Sequence, residues 1–311
     1  MPLRLAARWD ALPGNTRGAL FMLLSAIVFS AMGGMIKHVG GELHTFQVVF
    51  FRCLFGLLTL ALFLRGQGLG VFRTNRPWLH VLRVTLGIAA MFALFHAITH
   101  MELAAAITIT YARPLFIILL AILILGEVVR WRRGLATLAG FLGVLVVMRP
   151  DPAALDMDAL AALASAALIA GALTMVKILS ATDRPLTILM WFATGAVLVS
   201  AGPALWVWRW PEPWTWALVI LIGAAASLGQ YLAVRAYREG EATLVTPFDY
   251  TQILWATVIG VLVFAEVPDL WTLVGAAIII ASALYILYRE AQLGRRVPPH
   301  GGDAPGPDPG A

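Results

Sequence analysis

A single acidic residue lies well inside an apolar stretch of this 311-residue chain. Of the 17 aspartates and glutamates, only Asp249 has that placement. An ionisable side chain among apolar residues is costly to keep, so it indicates a functional site by default. Asp249 has two interpretations: a carboxylate that carries a proton or neutralises a cationic ligand group, and a structural partner for a nearby arginine or a group in an aqueous vestibule.

Two more polar residues occupy matching positions in two apolar stretches. Arg113 and Gln252 each lie eleven residues after a glutamate, and Tyr111 and Tyr250 each lie nine residues after it. In a continuous helix, two residues turn a side chain by about 200°, so a tyrosine and its partner would face opposite sides. We therefore prefer Arg113, Gln252 and Asp249 to the two tyrosines as substrate-binding residues.

A proline accompanies each of these groups, with Pro114 after Arg113 and Pro247 shortly before Asp249. Proline has no backbone N–H, so each one removes a helical hydrogen bond. Interrupted helices at corresponding positions of two halves indicate a substrate site in transport proteins. An interruption would also allow Tyr111 and Tyr250 to join the site. The alternative is that both prolines only kink packed helices.

Other candidates lie on further segments. Arg52 can bind a carboxylate through its guanidinium fork, or it can hold helices together through carbonyl groups. Gln230 and Trp191 are candidates for a cavity wall, with core packing as the alternative. His96 is a further substrate-binding candidate and has His100 one turn away, with helix packing or a proton relay as alternatives. A metal site needs more ligands than these two histidines, so no metal site is predicted.

Membrane-spanning helices must position these residues. The chain is 60% hydrophobic and 13% charged, with a mean hydropathy of +0.85, whereas soluble domains carry about 25% charged residues. A spanning helix needs about 20 mostly apolar residues. Ten segments qualify, namely 18–38, 45–65, 77–98, 102–125, 132–149, 157–180, 185–208, 214–236, 241–265 and 270–289. We predict an all-α membrane protein of ten transmembrane helices, followed by a disordered cytoplasmic tail at 290–311.

Basic residues between the segments predict the orientation. Lys and Arg are concentrated on the side of the N-terminus, and the opposite side holds Lys37, Arg149 and Arg209. Cytoplasmic loops carry the excess of Lys and Arg, so both termini are predicted to be cytoplasmic in a multi-pass protein of the bacterial inner membrane. The net charge of +5 is dispersed along the chain, so no nucleic-acid partner is expected.

The chain repeats itself at an offset of about 139–140 residues. Polar residues form several of the matched pairs: Glu102 with Glu241, Glu127 with Glu266, Tyr111 with Tyr250, and Lys37 with Lys177. The two halves, 18–149 and 157–289, each contain five segments, so they must enter the membrane from opposite sides. Inverted repeats of this kind build many secondary transporters. The alternative is chance similarity between apolar stretches.

Local patterns support a family resemblance. One helix ends in Leu125-Gly126-Glu127 before a basic turn, the second half contains Ala265-Glu266, and Arg52 lies early in the second segment. Together these resemble the EamA-type transporters of the drug/metabolite transporter superfamily, over roughly residues 18–290. The resemblance implies a ten-helix bundle around a central cavity and export or exchange of small metabolites such as amino acids. Pro268-Asp269 departs from it by replacing the basic turn.

Three classes of function compete for such a chain: a secondary transporter, a membrane enzyme, and a channel or structural protein. The repeat, the paired prolines and the few buried charges favour the transporter. The sequence has no His-Glu-x-x-His, Gly-x-Ser-x-Gly or Asp-rich magnesium motif, so no enzyme and no cofactor are predicted. It also has no Walker motif, which leaves ion gradients, including a proton gradient, or substrate exchange as the driving force.

The sequence therefore predicts a carrier of small metabolites such as amino acids, working as an exporter or exchanger by alternating access. Arg113 and Asp249 would bind the carboxylate and the amine of an amino acid. An uptake carrier for a nucleoside-like metabolite such as S-adenosylmethionine is the alternative, because the same side chains suit it. Ten helices in one chain can form the whole pathway, so a monomer would be sufficient.

Overall fold

The computed structural model describes residues 12–63, 69–125, 131–149, 156–240 and 245–294, and within these ranges the chain contains helices and no strand. The α-helices are α1 (Gly14–Val39), α2 (Thr45–Phe63), α3 (Pro77–His100), α4 (Leu103–Thr110), α5 (Arg113–Leu125), α6 (Trp131–Met148), α7 (Met157–Leu179), α8 (Pro185–Trp206), α9 (Pro213–Glu239), α10 (Thr251–Phe264) and α11 (Leu270–Gly294). Short 3₁₀ helices at Leu69–Phe72 and Thr246–Tyr250 precede α3 and α10.

Among the described residues, seven helical stretches are long and apolar enough to cross a membrane. They are Gly14–Val39, Pro77–His100, Leu103–Leu120, Met157–Leu179, Pro185–Trp206, Pro213–Glu239 and Thr246–Phe264. Shorter apolar helices at Thr45–Ala61, Gly134–Met148 and Leu270–Tyr285 occupy the other three predicted segments. Each predicted segment thus coincides with an apolar helix, whereas ten membrane crossings stay a prediction.

The end of the last helix differs from the expectation. We predicted disorder from residue 290, but α11 continues to Gly294. The residues that extend it, Glu290-Ala291-Gln292-Leu293, all favour helix, which explains why the predicted boundary was wrong there. The rest of the predicted tail lies outside the described residues, as do Glu127 and Glu241 of the repeat.

Helices of the first half pack mainly on helices of the second. α1 packs on α9 and α10, α3 on α7 and α8, α2 on α8 and α9, and α6 on α11. In the order of the chain, α1, α2, α3 and α6 of the first half correspond to α7, α8, α9 and α11 of the second. The α1–α9 pair therefore corresponds to the α7–α3 pair, and the α2–α8 and α6–α11 pairs correspond to themselves. The contact of α4 with α10 therefore also joins the two halves, and it is the contact that positions the predicted site.

Small residues allow the closest of these contacts. A Cβ atom on Gly275 of α11 would lie 2.3 Å from Val147 Cγ2 and 2.7 Å from the carbonyl oxygen of Gly143, both on α6. Between α1 and α9, Ser25 Oγ donates to the carbonyl oxygen of Gly229 at 2.9 Å. Packing of this kind holds helices together where lipid removes the hydrophobic driving force.

An ion pair ties the segments together at the end of the bundle where α1 ends. Lys37 pairs with Glu266 and also donates to the carbonyl oxygen of Met101 at 2.6 Å. Glu266 Oε2 accepts the N–H of Leu103 at 3.0 Å. The residue before it, Ala265, ends α10 in the left-handed conformation with φ 56°. We call Lys37, Glu266 and these two backbone partners the terminal clasp.

Candidate functional site

The fourth predicted segment is interrupted in its middle. α4 ends at Thr110, and Tyr111 and Ala112 form a tight turn in which their N–H groups donate to carbonyl oxygens three residues back, at 3.1 and 2.9 Å. α5 then begins with Arg113 and Pro114. Proline suits the first turn of a helix because the N–H it lacks has no partner there. Pro114 therefore begins a new helix rather than kinking a continuous one.

The ninth predicted segment is interrupted at the matching place. Residues Thr246–Tyr250 form a 3₁₀ helix with Pro247 in its first turn, and α10 begins at Thr251. Tyr250 is the residue at the junction, as Tyr111 is the junction residue between α4 and α5. Both segments thus change helix type or direction beside a tyrosine, as their shared prolines suggested.

The two interruptions meet each other. The Tyr111 hydroxyl lies 2.7 Å from the carbonyl oxygen of Asp249 and 2.9 Å from Gln252 Oε1, and it donates toward both. The rings of Tyr111 and Tyr250 are 4.9 Å apart between centroids. Tyr111 and Gln252 come from different segments, so this contact does not require residues two apart in one helix to face the same side.

A charge pair completes this cluster. Arg113 Nη2 lies 3.2 Å from Asp249 Oδ2, and the guanidinium carbon is 4.8 Å from the centroid of the Tyr111 ring. The two charged side chains keep 30% and 24% of their surface exposed, so part of each can contact a ligand. We call Tyr111, Arg113, Asp249, Tyr250 and Gln252 the junction cluster.

The neighbouring helix α1 holds the cluster from one side. Ser30 Oγ donates to the carbonyl oxygen of Gln252 at 3.0 Å, and Ser30 is fully buried. The carbonyl is in the first turn of α10, so Ser30 fixes the start of the helix that carries Gln252. One interpretation of Asp249 was that it is a structural partner for a nearby arginine, and Arg113 is such an arginine.

Trp191 does not join the junction cluster. It lies on α8, which packs on α2 and α3, and its indole N–H donates to the carbonyl oxygen of Phe72 at 3.0 Å. Its ring stacks on that of His80 at 5.1 Å between centroids. Its role in a cavity wall stays a prediction, because a tryptophan in an apolar run gives no information about which neighbouring helix it faces.

His80 and Asp183 form a second polar contact that the sequence did not indicate. His80 Nε2 lies 2.6 Å from Asp183 Oδ2, and the same oxygen accepts a hydrogen bond from Thr74 Oγ1 at 2.6 Å. Burial raises the pKa of Asp183, whereas the hydrogen bonds from Thr74 and His80 lower it. The lowering effects together are larger, so the pKa of Asp183 lies below its ordinary value. The contact joins the start of α3 to the loop between α7 and α8.

Arg52 and Gln230 also lie apart from the cluster. Arg52 Nη1 contacts Met91 Sδ at 3.5 Å, and its buried Nε has no hydrogen-bond partner among the described residues. None of the described hydrogen bonds joins Arg52 to a carbonyl group, and both interpretations of Arg52 stay predictions. Gln230 is exposed on α9, and none of the described hydrogen bonds involves it, so its substrate contact stays a prediction.

His96 lies at the end of α3, away from the junction cluster. Its Nε2 is 3.0 Å from Asp158 Oδ1, and its ring stacks on His100 at 4.1 Å between centroids. The expectation that no further ligand accompanies the two histidines was wrong, because Asp158 comes from the first turn of α7, far away in the sequence. Only the packing of α3 on α7 brings the three together.

Comparisons with known proteins agree with these observations. The model of the EamA-like transporter family matches twice, at residues 16–149 and 157–288. The S-adenosylmethionine uptake transporter of Rickettsia prowazekii (strain Madrid E) is 30% identical over 281 residues, which cover 90% of this chain and 96% of that protein. One solved crystal structure superimposes on this chain with a TM-score of 0.61 at 20% sequence identity. The match covers 91% of this chain and 100% of the other, and it shows a likeness of fold alone.

Other relatives have names that specify different substrates. The riboflavin transporter of Rhizobium johnstonii is 31% identical and covers 90% of this chain and 93% of that protein. The pseudopaline exporter CntI of Pseudomonas aeruginosa is 31% identical and covers 86% of this chain and 94% of that protein. All are named as transporters, and the family model extends over both halves. This chain belongs to the EamA-like transporter family of membrane proteins.

Proposed function

We propose that the chain is a secondary carrier that moves an amino acid or a similar small metabolite across the bacterial inner membrane by alternating access. Its substrate site is the junction cluster. The observation that carries this proposal is the Arg113–Asp249 ion pair, held between two interrupted helices from opposite halves and partly exposed.

The ion pair favours a substrate that carries both charges. A zwitterion can place its carboxylate on Arg113 and its ammonium group on Asp249, so every charge keeps a partner. An anion or a cation could satisfy only one of the two residues and would leave the other unpaired in an apolar surrounding, which is costly. The aromatic faces of Tyr111 and Tyr250 would contact the rest of the substrate.

The same pairing bears on energy coupling. Protonation of Asp249 would leave Arg113 without its partner, so Asp249 serves substrate binding better than proton transport. Exchange of one substrate for another needs no such titration. We therefore propose an exchanger or exporter that does not depend on a proton at Asp249.

Alternating access is supported by the relation between the halves. The family model matches each half separately, and the helix pairs are exchanged or preserved when the halves are interchanged. Inverted halves that rock around a site between them are the usual architecture of secondary transporters. We propose that ten crossings and this inverted repeat build one pathway in one chain.

Uptake of S-adenosylmethionine is the second candidate. Four of the relatives, all from Rickettsia, are named as S-adenosylmethionine uptake transporters, at 29–30% identity over 90% of this chain. That molecule contains an amino-acid group for the Arg113–Asp249 pair and a planar base for the two tyrosines. Both candidates therefore use the junction cluster in the same way and differ in the group attached to the amino acid.

The test is counterflow in proteoliposomes loaded with unlabelled substrate. Labelled amino acids, S-adenosylmethionine and riboflavin would be compared, each with and without a pH gradient. Arg113→Gln and Asp249→Asn would be measured beside Arg235→Gln, which removes a charge from the ion pair of Arg235 with Glu239 on α9. We expect saturable counterflow of an amino-acid-containing compound that both cluster variants lower at least about tenfold and the control leaves unchanged.

Several outcomes would contradict the proposal. Counterflow that persists in both cluster variants would place the substrate elsewhere. Selective transport of a compound without an amino-acid group would refute the zwitterion argument. Flux that depends on the pH gradient and is lost only in Asp249→Asn would assign a proton to that carboxylate.

The orientation is a separate proposal with its own test. We propose that both termini are cytoplasmic, as the Lys and Arg distribution indicates. Cys53 is the only cysteine and is buried, so a Cys53→Ala background permits labelling of single new cysteines in intact cells. A membrane-impermeant reagent should label Glu42→Cys from outside and leave Thr182→Cys unlabelled until the cells are opened, and the reverse pattern would invert the topology.

A further inference from the structure

Three side chains able to bind a metal meet where α3 ends and α7 begins. His96 and His100 lie in the last two turns of α3, and Asp158 lies in the first turn of α7. One ligand atom from each lies within 4.8 Å of the others. We propose that these three residues bind a divalent transition-metal ion such as Zn²⁺. This metal site is distinct from the junction cluster.

His100 can supply a ring nitrogen to the site. Its Nδ1 lies 2.8 Å from the carbonyl oxygen of His96 and 2.8 Å from Thr99 Oγ1. A carbonyl oxygen only accepts, so the neutral imidazole that donates to it from Nδ1 has its lone pair on Nε2. Histidine ligands of metals usually donate their other N–H to a carbonyl or carboxylate group, and His100 has that arrangement within its own helix.

His96 and Asp158 have the separation that a bound ion needs. Nε2 of His96 and Oδ1 of Asp158 are 3.0 Å apart. Two ligands of a tetrahedral Zn²⁺ with bonds of about 2.0–2.1 Å lie about 3.3 Å apart. An ion can therefore replace the proton between these atoms if they separate by a few tenths of an ångström, and the exposed side chain of His100 can turn to add the third bond.

The carboxylate of Asp158 is free to act as a ligand because a neighbouring aspartate performs the capping role. Asp156 Oδ1 accepts the N–H groups of Asp158 and Ala159 at 2.9 and 3.1 Å, which fixes the first turn of α7. Asp158 is thus held on a rigid turn with its side chain directed at α3. The backbone of a capped helix is a better support for a ligand than a loop.

The donor set indicates which metals fit. Two imidazole nitrogens and one carboxylate suit Zn²⁺, Co²⁺, Ni²⁺ or Cu²⁺, whereas Mg²⁺ and Ca²⁺ require oxygen ligands. Three protein ligands leave one position for water or another molecule. His100 is exposed, and the side chains of His96 and Asp158 keep 43% and 32% of their surface accessible, so an ion can enter from solvent.

A bound ion would also join the two halves. His96 and His100 belong to the first half and Asp158 to the second, and α3 and α7 are in extensive contact. An ion held by both helices would fix their relative position at this end of the bundle. The metal site therefore offers a way for an external transition metal to slow any motion of one half against the other.

The test uses Co²⁺ as a spectroscopic probe on the purified full chain with its affinity tag removed. Tetrahedral Co²⁺ absorbs visible light strongly, and we expect one equivalent to bind and to be displaced by Zn²⁺. His100→Gln and Asp158→Asn should abolish the tetrahedral band and weaken Zn²⁺ binding at least about tenfold. The matched controls, His44→Gln and Glu212→Gln, remove a histidine and a carboxylate outside the site and should bind as the wild-type chain does.

Thermal unfolding without metal checks that each variant is folded, since both ligand substitutions are conservative and partly exposed. Zn²⁺ should raise the unfolding temperature of the wild-type chain and of the controls but not of the two ligand variants. Failure of the wild-type chain to bind one equivalent of Co²⁺ would overturn the proposal, and so would unchanged binding by both ligand variants. Neither result depends on the transported substrate.

Discussion

Arg113 and Asp249 form an ion pair in the interior of the bundle. A lone charge there would lose its hydration without compensation, whereas a pair at 3.2 Å recovers much of that loss. The remaining exposure of both side chains is what allows a ligand to compete for them. This single contact therefore links the stability of the fold to the chemistry of the proposed site.

A double-mutant cycle measures that link. We expect Arg113→Ala and Asp249→Ala each to lower the free energy of unfolding by about 1–3 kcal/mol, less than for a fully buried pair because both side chains are partly exposed. The double variant should lose less free energy of unfolding than the two single variants lose together, since it leaves no unpaired charge. Thermal or denaturant unfolding in detergent provides the measurement.

The control for this cycle is the pair Arg235 and Glu239, which lie one turn apart on α9. An ion pair between residues four apart on one helix contributes about 0.3–0.5 kcal/mol, so its coupling should be small. Equal coupling in both cycles, or strict additivity at Arg113 and Asp249, would show that the interior pair has no special electrostatic role.

The contribution of Asp183 to stability should depend on pH. Its pKa in the folded chain lies below the ordinary value of 3.8, so the folded state prefers the ionised form. Its contribution to stability is present at pH above that ordinary value and is lost as the pH falls through the lower, folded value. The unfolding temperature of Asp183→Asn should therefore be below that of the wild-type chain near neutral pH, and the gap should close in acid.

Asp156→Asn is the control, because asparagine caps a helix about as well as aspartate and should leave the unfolding temperature nearly unchanged at each pH. A gap for Asp183→Asn that is constant with pH would mean that the loss is steric rather than electrostatic. The measurement also tests whether the contact between Asp183 and His80 holds the start of α3.

Residue types and spacing predicted which side chains would form the junction cluster. Asp249, Arg113, Gln252 and the tyrosines could be selected because polar residues are rare in apolar segments and recur at one offset. Trp191 could not be placed, since aromatic residues are common in such segments. Asp158 was missed as a partner of His96 for a physical reason: no sequence period relates the end of one helix to the start of another three segments later.

At the scale of the helices, prolines predicted the interruptions, and the structure shows how they form. Pro114 is the second residue of α5, and Pro247 is the second residue of the 3₁₀ helix before α10. Each proline therefore lies in the first turn of an element. The sequence also indicated the apolar segments, because about 20 such residues are needed to cross a bilayer. It did not indicate which helix faces which, since apolar side chains surround most of each segment.

Close packing of α6 on α11 gives a prediction at this scale. A Cβ atom on Gly275 would meet Val147 Cγ2 at 2.3 Å and the Gly143 carbonyl oxygen at 2.7 Å. Because the second contact is with backbone, Gly275→Ala must separate the helices, and we expect a loss of about 1–3 kcal/mol in the free energy of unfolding. Unfolding in detergent measures it.

Gly134 on α6 is the matched control, because no atom of the described residues lies within 4 Å of a Cβ built there. Gly134→Ala should be neutral or stabilising by up to about 1 kcal/mol, as expected for alanine in a helix. Equal effects of the two substitutions would mean that helix propensity rather than the contact of α6 with α11 determines the loss at Gly275.

At the scale of the whole molecule, the two halves are joined by contacts of different strength. The α6–α11 and α2–α8 pairs are extensive, whereas the terminal clasp is a small group of polar contacts at one end. In alternating access, one end must open while the rest of the bundle stays intact. A few ion pairs and hydrogen bonds can break and form more readily than a packed helix interface, so the terminal clasp is the contact expected to open.

Glu266→Gln tests this expectation. The amide can still accept the N–H of Leu103 but cannot form the ion pair with Lys37, so the terminal clasp is weakened without loss of bulk. The reporter is a cysteine in place of the fully buried Leu103, introduced in a Cys53→Ala background. With Glu266→Gln present, this cysteine should react at least about threefold faster with a membrane-impermeant thiol reagent. Lys37→Met should have the same effect, since it removes the other charge of the pair.

The control is Glu212→Gln. It neutralises a glutamate that accepts the indole N–H of Trp214 and takes no part in the described contacts of Lys37. It should leave the reaction rate of the cysteine unchanged. Equal rates in all variants would mean that packing, not the terminal clasp, keeps this end closed. Faster reaction only in Glu266→Gln and Lys37→Met would make the ion pair the element that opens when the carrier turns toward that side.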